Sequence, residues 1–400
     1  MPIALLALTL SAFAIGTTEF VIVGLLPTVA ADLAIGLPSA GLLVSLYALG
    51  VAVGAPVLTA LTGRVPRKAL LLSLMALFTA GNLLAWQAPG YGTLVAARIL
   101  TGLAHGVFFS IGSTIATGLV PREKAASAIA VMFTGLTVAL VTGVPLGTFI
   151  GQHFGWRATF LAVAALGVIA FVGSVLFVPR RIAHTPPASL RTQARVLAEP
   201  RLLLVYATTA IGYGGTFIPF TFLAPLLTDV AGFSAGAVGW VMLVYGVSVA
   251  VGNLWGGRLA DRLGPIPALR IIFALLAAVL LLLQFTAPHP WLAVGTVLLW
   301  GAVAFGNVPG LQVYVVKQAQ RFVPQATDVA SGLNIAAFNI GIALGASLGG
   351  LVVDHIGLMH TPWIGALVVL GALALTVLSG RLDRRDGLDV RAEGIAVSAH

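Results

Sequence analysis

The chain contains no cysteine, which excludes disulfides, cysteine-ligated zinc and thiol chemistry. Charge is nearly as scarce. Asp, Glu, Lys and Arg make up 8% of the 400 residues, where a soluble protein carries roughly a quarter. No G-x-x-x-x-G-K-[ST] loop occurs and none of the three lysines follows a glycine, so no ATP-driven motor is encoded; H-E-x-x-H is also missing. What is present is apolar: 59% of residues come from the AVILMFWYC set, and mean hydropathy is +1.06. That composition excludes a water-soluble enzyme, a disordered chain and a nucleic-acid binder. It leaves a polytopic membrane protein whose outer surface is solvated by lipid.

Charge, Pro and Gly divide the chain into twelve apolar segments, at 3–31, 40–61, 69–86, 92–118, 125–151, 158–178, 202–230, 235–260, 266–285, 291–318, 327–353 and 361–378. A helix needs about 20 such residues to cross the hydrocarbon. Residues 1–31 show no basic start and no small-residue cleavage site, which predicts a first membrane helix rather than a removable signal. Barrel strands alternate over about ten residues; these runs do not. The expected fold class is an all-α membrane protein.

The net charge of +9 is explained by its placement. If residue 1 is cytoplasmic, 19 of the 21 Lys and Arg fall in cytoplasmic turns or the C-terminal tail; only Arg98 and Arg157 do not. Basic residues stay on the cytoplasmic side of inserted helices, so both termini are expected inside. The single long polar connector, 179–201, sits at mid-chain. The predicted organisation is a six-helix bundle at 1–178, a cytoplasmic linker at 179–201, a second six-helix bundle at 202–380 and a cytoplasmic tail at 381–400.

An internal repeat supports the two halves. Adding 198 carries Pro27 to Pro225, Tyr47 to Tyr245, VAVG at 51–54 to VAVG at 249–252, and Arg64 to Arg262. Later the offset drifts, taking Pro121 to Pro324, Ser127 to Ser331, Gly143 to Gly345 and Gly147 to Gly349. Two parallel halves imply a pseudo-twofold axis along the membrane normal, with a binding site between them. Rocking one half on the other gives alternating access, so transport is the physical expectation.

Ionisable groups within a bilayer are costly, by roughly 2.5–3.5 kcal/mol at a helix centre, and each calls for a function. Glu19 lies mid-span in the first segment and is read as a proton carrier; the competing reading is a structural glutamate, protonated or salt-bridged throughout. In the fourth segment Arg98, Gly102, His105 and Gly106 share one helical face. Depth counting at about 1.5 Å per residue puts His105 level with Glu19 and Arg98 nearer the outside. Arg98 is then the group that biases Glu19, and His105 is either a relay or a hydrogen-bonded packing residue. Asp32, at the outer end of the first segment, is grouped with them as either an outer-gate partner or a solvated helix-end acid.

The turn holding Arg64, Arg67 and Lys68 and its counterpart holding Asp261 and Arg262 are too short to reach the midplane. They are read as gate elements, against simple topological anchoring. Gly143 and Gly147 with Pro145 between them, and Gly341, Gly345 and Gly349, place small residues on one helical face and suit either sliding or static packing. Tyr213, Phe217, Asn307, Gln312, Asn334 and Asn339 are candidate cavity residues. The alternatives are helix–helix hydrogen bonds for the polar groups and lipid contact for the aromatics.

These segments resemble the major facilitator superfamily over nearly the whole chain. RILTGLAHG at 98–106 is similar to its fourth-helix R-x-x-x-G-x-x-x-G element, GGRLADRLG at 256–264 to its G-x-L-A-D-R-x-G-R-[RK] loop, and PREKAASA at 121–128 to the loop before the fifth helix. GVPLGTFIG, followed by GWRATF, resembles the fifth-helix antiporter element. TTEFVIVGLLP and NIAAFNIGIALGA resemble the bacterial twelve-helix drug:proton antiporters of the sugar-efflux and chloramphenicol-resistance type. Departures fall in the gate turns: Gly63 and Pro66 replace the family's Asp and Gly, and Pro265 and Ile266 replace a basic pair. The adjacent Gly-Pro of the broader antiporter motif is also missing from GVPLG.

The resemblance implies a major facilitator fold, with helices 1, 4, 7 and 10 lining the cavity. It also implies export of a small organic molecule such as a drug or sugar, driven by the proton gradient with no cofactor. The expected partners are the substrate, protons and the lipid bilayer, with no nucleic acid; the expected form is a monomer in the bacterial inner membrane, and no enzyme. The competing readings are a proton symporter importing a sugar or nucleoside, and a receptor or scaffold that transports nothing.

Overall fold

A computed structural model describes residues 2–121, 124–180, 182 and 189–385, excluding the side chains of 125 and 126. Twelve helices in it are long and apolar enough to cross a membrane. They are helix 1 (Ile3–Asp32), helix 2 (Leu37–Leu61), helix 3 (Arg67–Trp86), helix 4 (Tyr91–Gly118), helix 5 (Ser127–Phe154) and helix 6 (Trp156–Phe177), then helix 7 (Pro200–Phe220), helix 8 (Ala235–Leu263), helix 9 (Pro265–Thr286), helix 10 (Pro290–Phe322), helix 11 (Pro324–His355) and helix 12 (Leu358–Arg385). No strand occurs among the described residues. The fold is all-helical, as the hydropathy pattern predicts.

Local sequence sets the boundaries. Pro38, Pro200, Pro265 and Pro290 occupy first-turn positions, where a missing N–H costs nothing. Gly155 and Gly264 take φ of 86° and 82° between consecutive helices, a region closed to most side chains. Three prolines accompany single wide turns inside helices. Pro56 lies in the π turn Gly54–Leu58, Pro145 lies two residues after Ala139–Gly143, and Pro225 directly precedes Leu226–Val230. A proline frees a carbonyl one turn earlier, and a π turn is one way the ladder absorbs it.

The seventh apolar segment, expected as one helix over 202–230, is therefore broken. Helix 7 stops at Phe220, and the chain resumes as the short turn Leu223–Pro225 and a π turn. Helix 12 runs to Arg385, past the expected tail boundary at 381. A short helix, Leu190–Leu197, sits in the connector. Arg122, Arg181, Arg391 and the tail from 386 onward lie outside the described residues.

The packing repeats. Helix 1 packs on helices 5 and 6 as helix 7 packs on helices 11 and 12; helix 4 packs on helices 2 and 3 as helix 10 packs on helices 8 and 9. The halves meet along two seams, helix 2 against helix 11 and helix 5 against helix 8. On the side away from the termini they share one core, in which Phe20, Leu43 and Val44 meet Phe217, Leu226 and Ile342. Toward the terminus side separate apolar clusters appear, one around Leu8, Phe78 and Phe108, the other around Leu202, Val315 and Ala330.

Candidate functional site: a buried carboxyl against helices 2 and 4

Glycine brings the site together. A Cβ on Gly102 would run into the Tyr47 carbonyl, and one on Gly106 would press on the Val51 carbonyl and the Ala55 amide. Helix 4 can therefore lie backbone to backbone on helix 2. This contact carries Arg98 and His105, at helical spacing from those glycines, against Tyr47 and helix 1.

Glu19, Arg98 and His105 are 8%, 1% and 5% exposed. Arg98 occupies a cage of backbone oxygens, donating from Nη1 to Thr18 O (2.6 Å), from Nη2 to Glu19 O (3.2 Å) and from Nε to Leu43 O (3.3 Å). Its guanidinium carbon lies 4.1 Å from the centre of the Tyr47 ring. Three carbonyls and an aromatic face replace the water that a buried cation otherwise needs. Among the described residues no ion pair within 4.0 Å links Arg98 to the Glu19 carboxylate. Arg98 therefore meets Glu19 through its backbone carbonyl and not through its carboxylate.

The Glu19 carboxylate receives no hydrogen bond among the described residues. The ionisable side chain it meets within 4.0 Å is His105, with Nδ1 4.0 Å from Oε2. The same nitrogen lies 3.0 Å from the Tyr47 hydroxyl. Beside Glu19, Thr18 Oγ1 donates to Asn82 Oδ1 at 2.8 Å, and the Asn82 amide donates to Phe78 O. The sequence alone does not mark Tyr47, Thr18 and Asn82 as site residues. Tyr47 appeared only as a repeat marker, and Asn82 is the one readable signal, a polar side chain deep in an apolar span.

Next to the carboxyl stands an aromatic cluster drawn from both halves. Phe20 is 6.3 Å from Phe217 and 6.5 Å from Phe305, while Tyr213 is 5.1 Å from Phe217, 5.5 Å from Phe305 and 4.9 Å from Phe338. Tyr213 and Phe217 are buried here rather than facing lipid. Phe20, Phe305 and Phe338 joined them only in three dimensions.

The neutral polar candidates separate from this cluster. Thr209 donates to Asn334 Oδ1 at 2.7 Å, Asn334 donates to Gln312 Oε1 at 3.0 Å, and the Gln312 amide donates to Ser331. This chain knits helices 7, 10 and 11, so Asn334 and Gln312 are occupied in helix–helix bonds. Asn307 and Asn339 each donate to a backbone carbonyl of their own helix and keep a buried side-chain oxygen without a partner.

Asp32 is a partly solvated helix end that is also paired. It accepts from Arg157 Nη1 and, at 3.0 Å, from Trp156 Nε1. That pairing accounts for Arg157, one of the two basic residues outside the charge rule; burial in the carbonyl cage accounts for Arg98. Asp32 belongs to a separate pairing at the C-terminal end of helix 1, away from the Glu19 group.

The gate residues make few of the expected contacts. Lys68 Nζ donates to Val175 O (2.7 Å) and Val178 O (2.6 Å), closing the end of helix 6. Arg67 is buried, with Nε and Nη1 unpartnered. Arg64, Asp261 and Arg262 are exposed and form no ion pair within 4.0 Å among the described residues. The glycine faces lie within halves rather than between them. Gly143 and Gly147 seat Thr17 and Val21 of helix 1, and Gly341 and Gly345 seat the helix 7 backbone at Ala210 and Gly214. Pro145 instead lies near the helix 5–helix 8 seam, its carbonyl close to Gly239.

Gly345 to Gly349 spells G-x-S-x-G, the pattern of a hydrolase nucleophile elbow, which requires a strand-to-helix turn. Here it lies inside helix 11, and Ser347 donates to Ser45 at 3.0 Å.

This architecture is that of a membrane transporter. Residues 8–323 match the family described as Major Facilitator Superfamily, and the chain belongs to it. It is 56% identical to the uncharacterized MFS-type transporter YtbD of Bacillus subtilis, over 96% of each chain. It is 42% identical to the inner membrane transport protein YdhP of Escherichia coli K12, over 94% of this chain and 96% of that one. Identity to a chloramphenicol resistance protein of Streptomyces lividans is 34%, over 93% and 95%. The fold matches a bacterial homologue of the human lysosomal transporter Spinster, in an inward-facing and occupied conformation. The TM-score is 0.76 at 17% identity, over 94% of this chain and 96% of the other. The protein is a multi-pass membrane transporter of this superfamily.

Proposed function

We propose that the protein is a proton-coupled antiporter of the bacterial inner membrane that exports a small organic molecule, with both termini in the cytoplasm. The observation that carries this reading is the Glu19 carboxylate: buried in helix 1, without a hydrogen bond, beside His105 and an Arg98 cage. A carboxyl so placed can take up and release a proton without breaking a hydrogen bond of its own. The adjoining aromatic cluster offers a face for an apolar or aromatic substrate between the halves.

Glu19 is the proton carrier, His105 the relay, and Arg98 the fixed positive group that favours release. Tyr213, Phe217 and Phe20 contact substrate. Separate terminus-side clusters beneath a shared opposite core suit a state whose central space faces the cytoplasm. Inward proton flow releases about 2.3 kcal/mol per charge per 100 mV to drive export. Two relatives bear efflux or resistance names, a probable sugar efflux transporter and the chloramphenicol resistance protein, which supports this direction.

Chloramphenicol is the first probe. In proteoliposomes with an imposed pH gradient, substrate and protons should move in opposite directions. Movement in the same direction would establish symport instead.

A further inference from the structure

We propose that Tyr47 is a positioning residue that transmits the protonation of Glu19 to the seam between the halves. The proposal rests on Glu19 as the proton carrier and adds the path by which its charge moves helix 2.

His105 Nδ1 has two claimants, the Tyr47 hydroxyl at 3.0 Å and Glu19 Oε2 at 4.0 Å. An imidazole nitrogen either carries a lone pair that accepts one hydrogen bond or carries a proton that it donates. With the lone pair exposed, Tyr47 donates to it. When Glu19 gives up its proton to Nδ1, the new N–H donates back to the carboxylate and the Tyr47 hydroxyl is displaced. When Nδ1 passes that proton to water entering from the open side, its lone pair is restored and Tyr47 donates to it again. Each transfer thus makes or breaks the bond between helix 2 and helix 4 at Tyr47.

Helix 2 is placed to use that change. Two residues before Tyr47, Ser45 accepts from Ser347 of helix 11 at 3.0 Å, across the seam. Seven residues after Tyr47 begins the π turn Gly54–Leu58, which also packs against helix 11. Its Pro56 carbonyl accepts from Gln193 of the connector helix at 3.1 Å.

The repeat supplies a control within the same chain. Tyr245 is the counterpart of Tyr47, and the glycines seated on the two tyrosine carbonyls, Gly102 and Gly301, align helix 4 with helix 10 at an offset of 199. At that offset Val297 replaces Arg98 and Ala304 replaces His105; at 198, Phe217 replaces Glu19. Tyr245 lies stacked on Phe220 with its hydroxyl buried and unpartnered. The polar partners occur only in the half that holds the ionisable group.

The charged and titratable groups facing Glu19 are Arg98 and His105 of helix 4, Tyr47 of helix 2 and, within electrostatic reach, Tyr213 of helix 7. Helices 5 and 6, which also pack on helix 1, carry described ionisable groups only at their ends, His153 and Arg157.

The absence of cysteine allows a direct test in the full chain. Spin labels at Leu61→Cys and Leu263→Cys, both exposed on the terminus side, report the separation of the halves. Between pH 5 and pH 8.5 the wild-type distance populations should shift. In Tyr47→Phe the shift should shrink about fivefold, the worth of one buried hydrogen bond; in Glu19→Gln it should vanish. Ser347→Ala, which cuts the path across the seam without touching the proton site, should reduce it in the same direction and serves if Tyr47→Phe misfolds. A wild-type-sized shift in Tyr47→Phe and Ser347→Ala, with none in Glu19→Gln, overturns this proposal alone. No shift in the wild type overturns both it and the proton-carrier reading.

Discussion

Arg98 reaches Glu19 through the backbone: its Nη2 donates to the Glu19 carbonyl oxygen at 3.2 Å, and it makes no ion pair with the carboxylate beside it. A direct salt bridge would tie the acid down as a permanent counter-ion. Engagement of the carbonyl instead fixes the guanidinium and leaves the carboxylate without an arginine partner, as the proposed proton carrier requires. The arginine acts as part of the scaffold and as a constant source of positive potential.

It follows that Arg98→Ala should damage folding as well as transport. Three carbonyls at the helix 1–helix 2–helix 4 junction would lose a charged donor. The expected cost is on the order of 3 kcal/mol, since hydrogen bonds to charged groups are the stronger class. Arg98→Lys should restore little, because an ammonium cannot span three divergent acceptors. Thermal unfolding in detergent, set beside Glu19→Gln as a variant expected to keep its stability, checks this.

Asn334→Ala separates packing from substrate contact. Asn334 is fully buried and bonded on both sides, to Thr209 and Gln312. Its loss leaves the buried Thr209 hydroxyl and the half-buried Gln312 carbonyl without that partner, costing about 1–3 kcal/mol. The melting temperature should fall while apparent affinity for the transported compound holds. Tyr213→Ala should show the opposite pattern, weakening affinity more than stability.

The twelve helices were legible because the bilayer imposes one requirement, a long apolar run, that a sequence displays openly. The breaks were less legible. Pro225 was visible as a repeat marker, yet nothing in the hydropathy shows that the ladder before it ends at Phe220. In the site, Glu19, Arg98 and His105 stand out because charge is rare in apolar spans. Tyr47 and Phe20 do not, since an aromatic in a membrane helix is ordinary until its neighbours are known. Asn334 and Gln312 read as cavity residues for the same reason. A polar side chain satisfied by another helix and one awaiting a substrate look alike in one dimension.

Asp32→Asn should be mild. The pair with Arg157 is partly open to solvent, with side chains 45% and 35% exposed, and such pairs are worth about 0.5 kcal/mol. Transport should persist, and the small stability loss should disappear at high salt, where screening has already weakened the pair. Unfolding at two ionic strengths measures both effects.

Gly246→Ala tests the helix 5–helix 8 seam. A Cβ there would strike the Leu140 carbonyl, whereas one at Gly295 meets nothing within 4 Å. The first substitution should cost roughly 1–3 kcal/mol through overpacking and reduce transport. Gly295→Ala should leave both unchanged, as paired melting and uptake assays would show.

Proton release on substrate binding reports directly whether Glu19 is the exchanged group. Purified protein in weakly buffered detergent solution is mixed with chloramphenicol and the pH change is recorded. The account predicts that the wild type sheds protons and Glu19→Gln sheds none, with the variant still folded by its melting temperature. Equal release from the two proteins would contradict it and move the exchanged proton to another group.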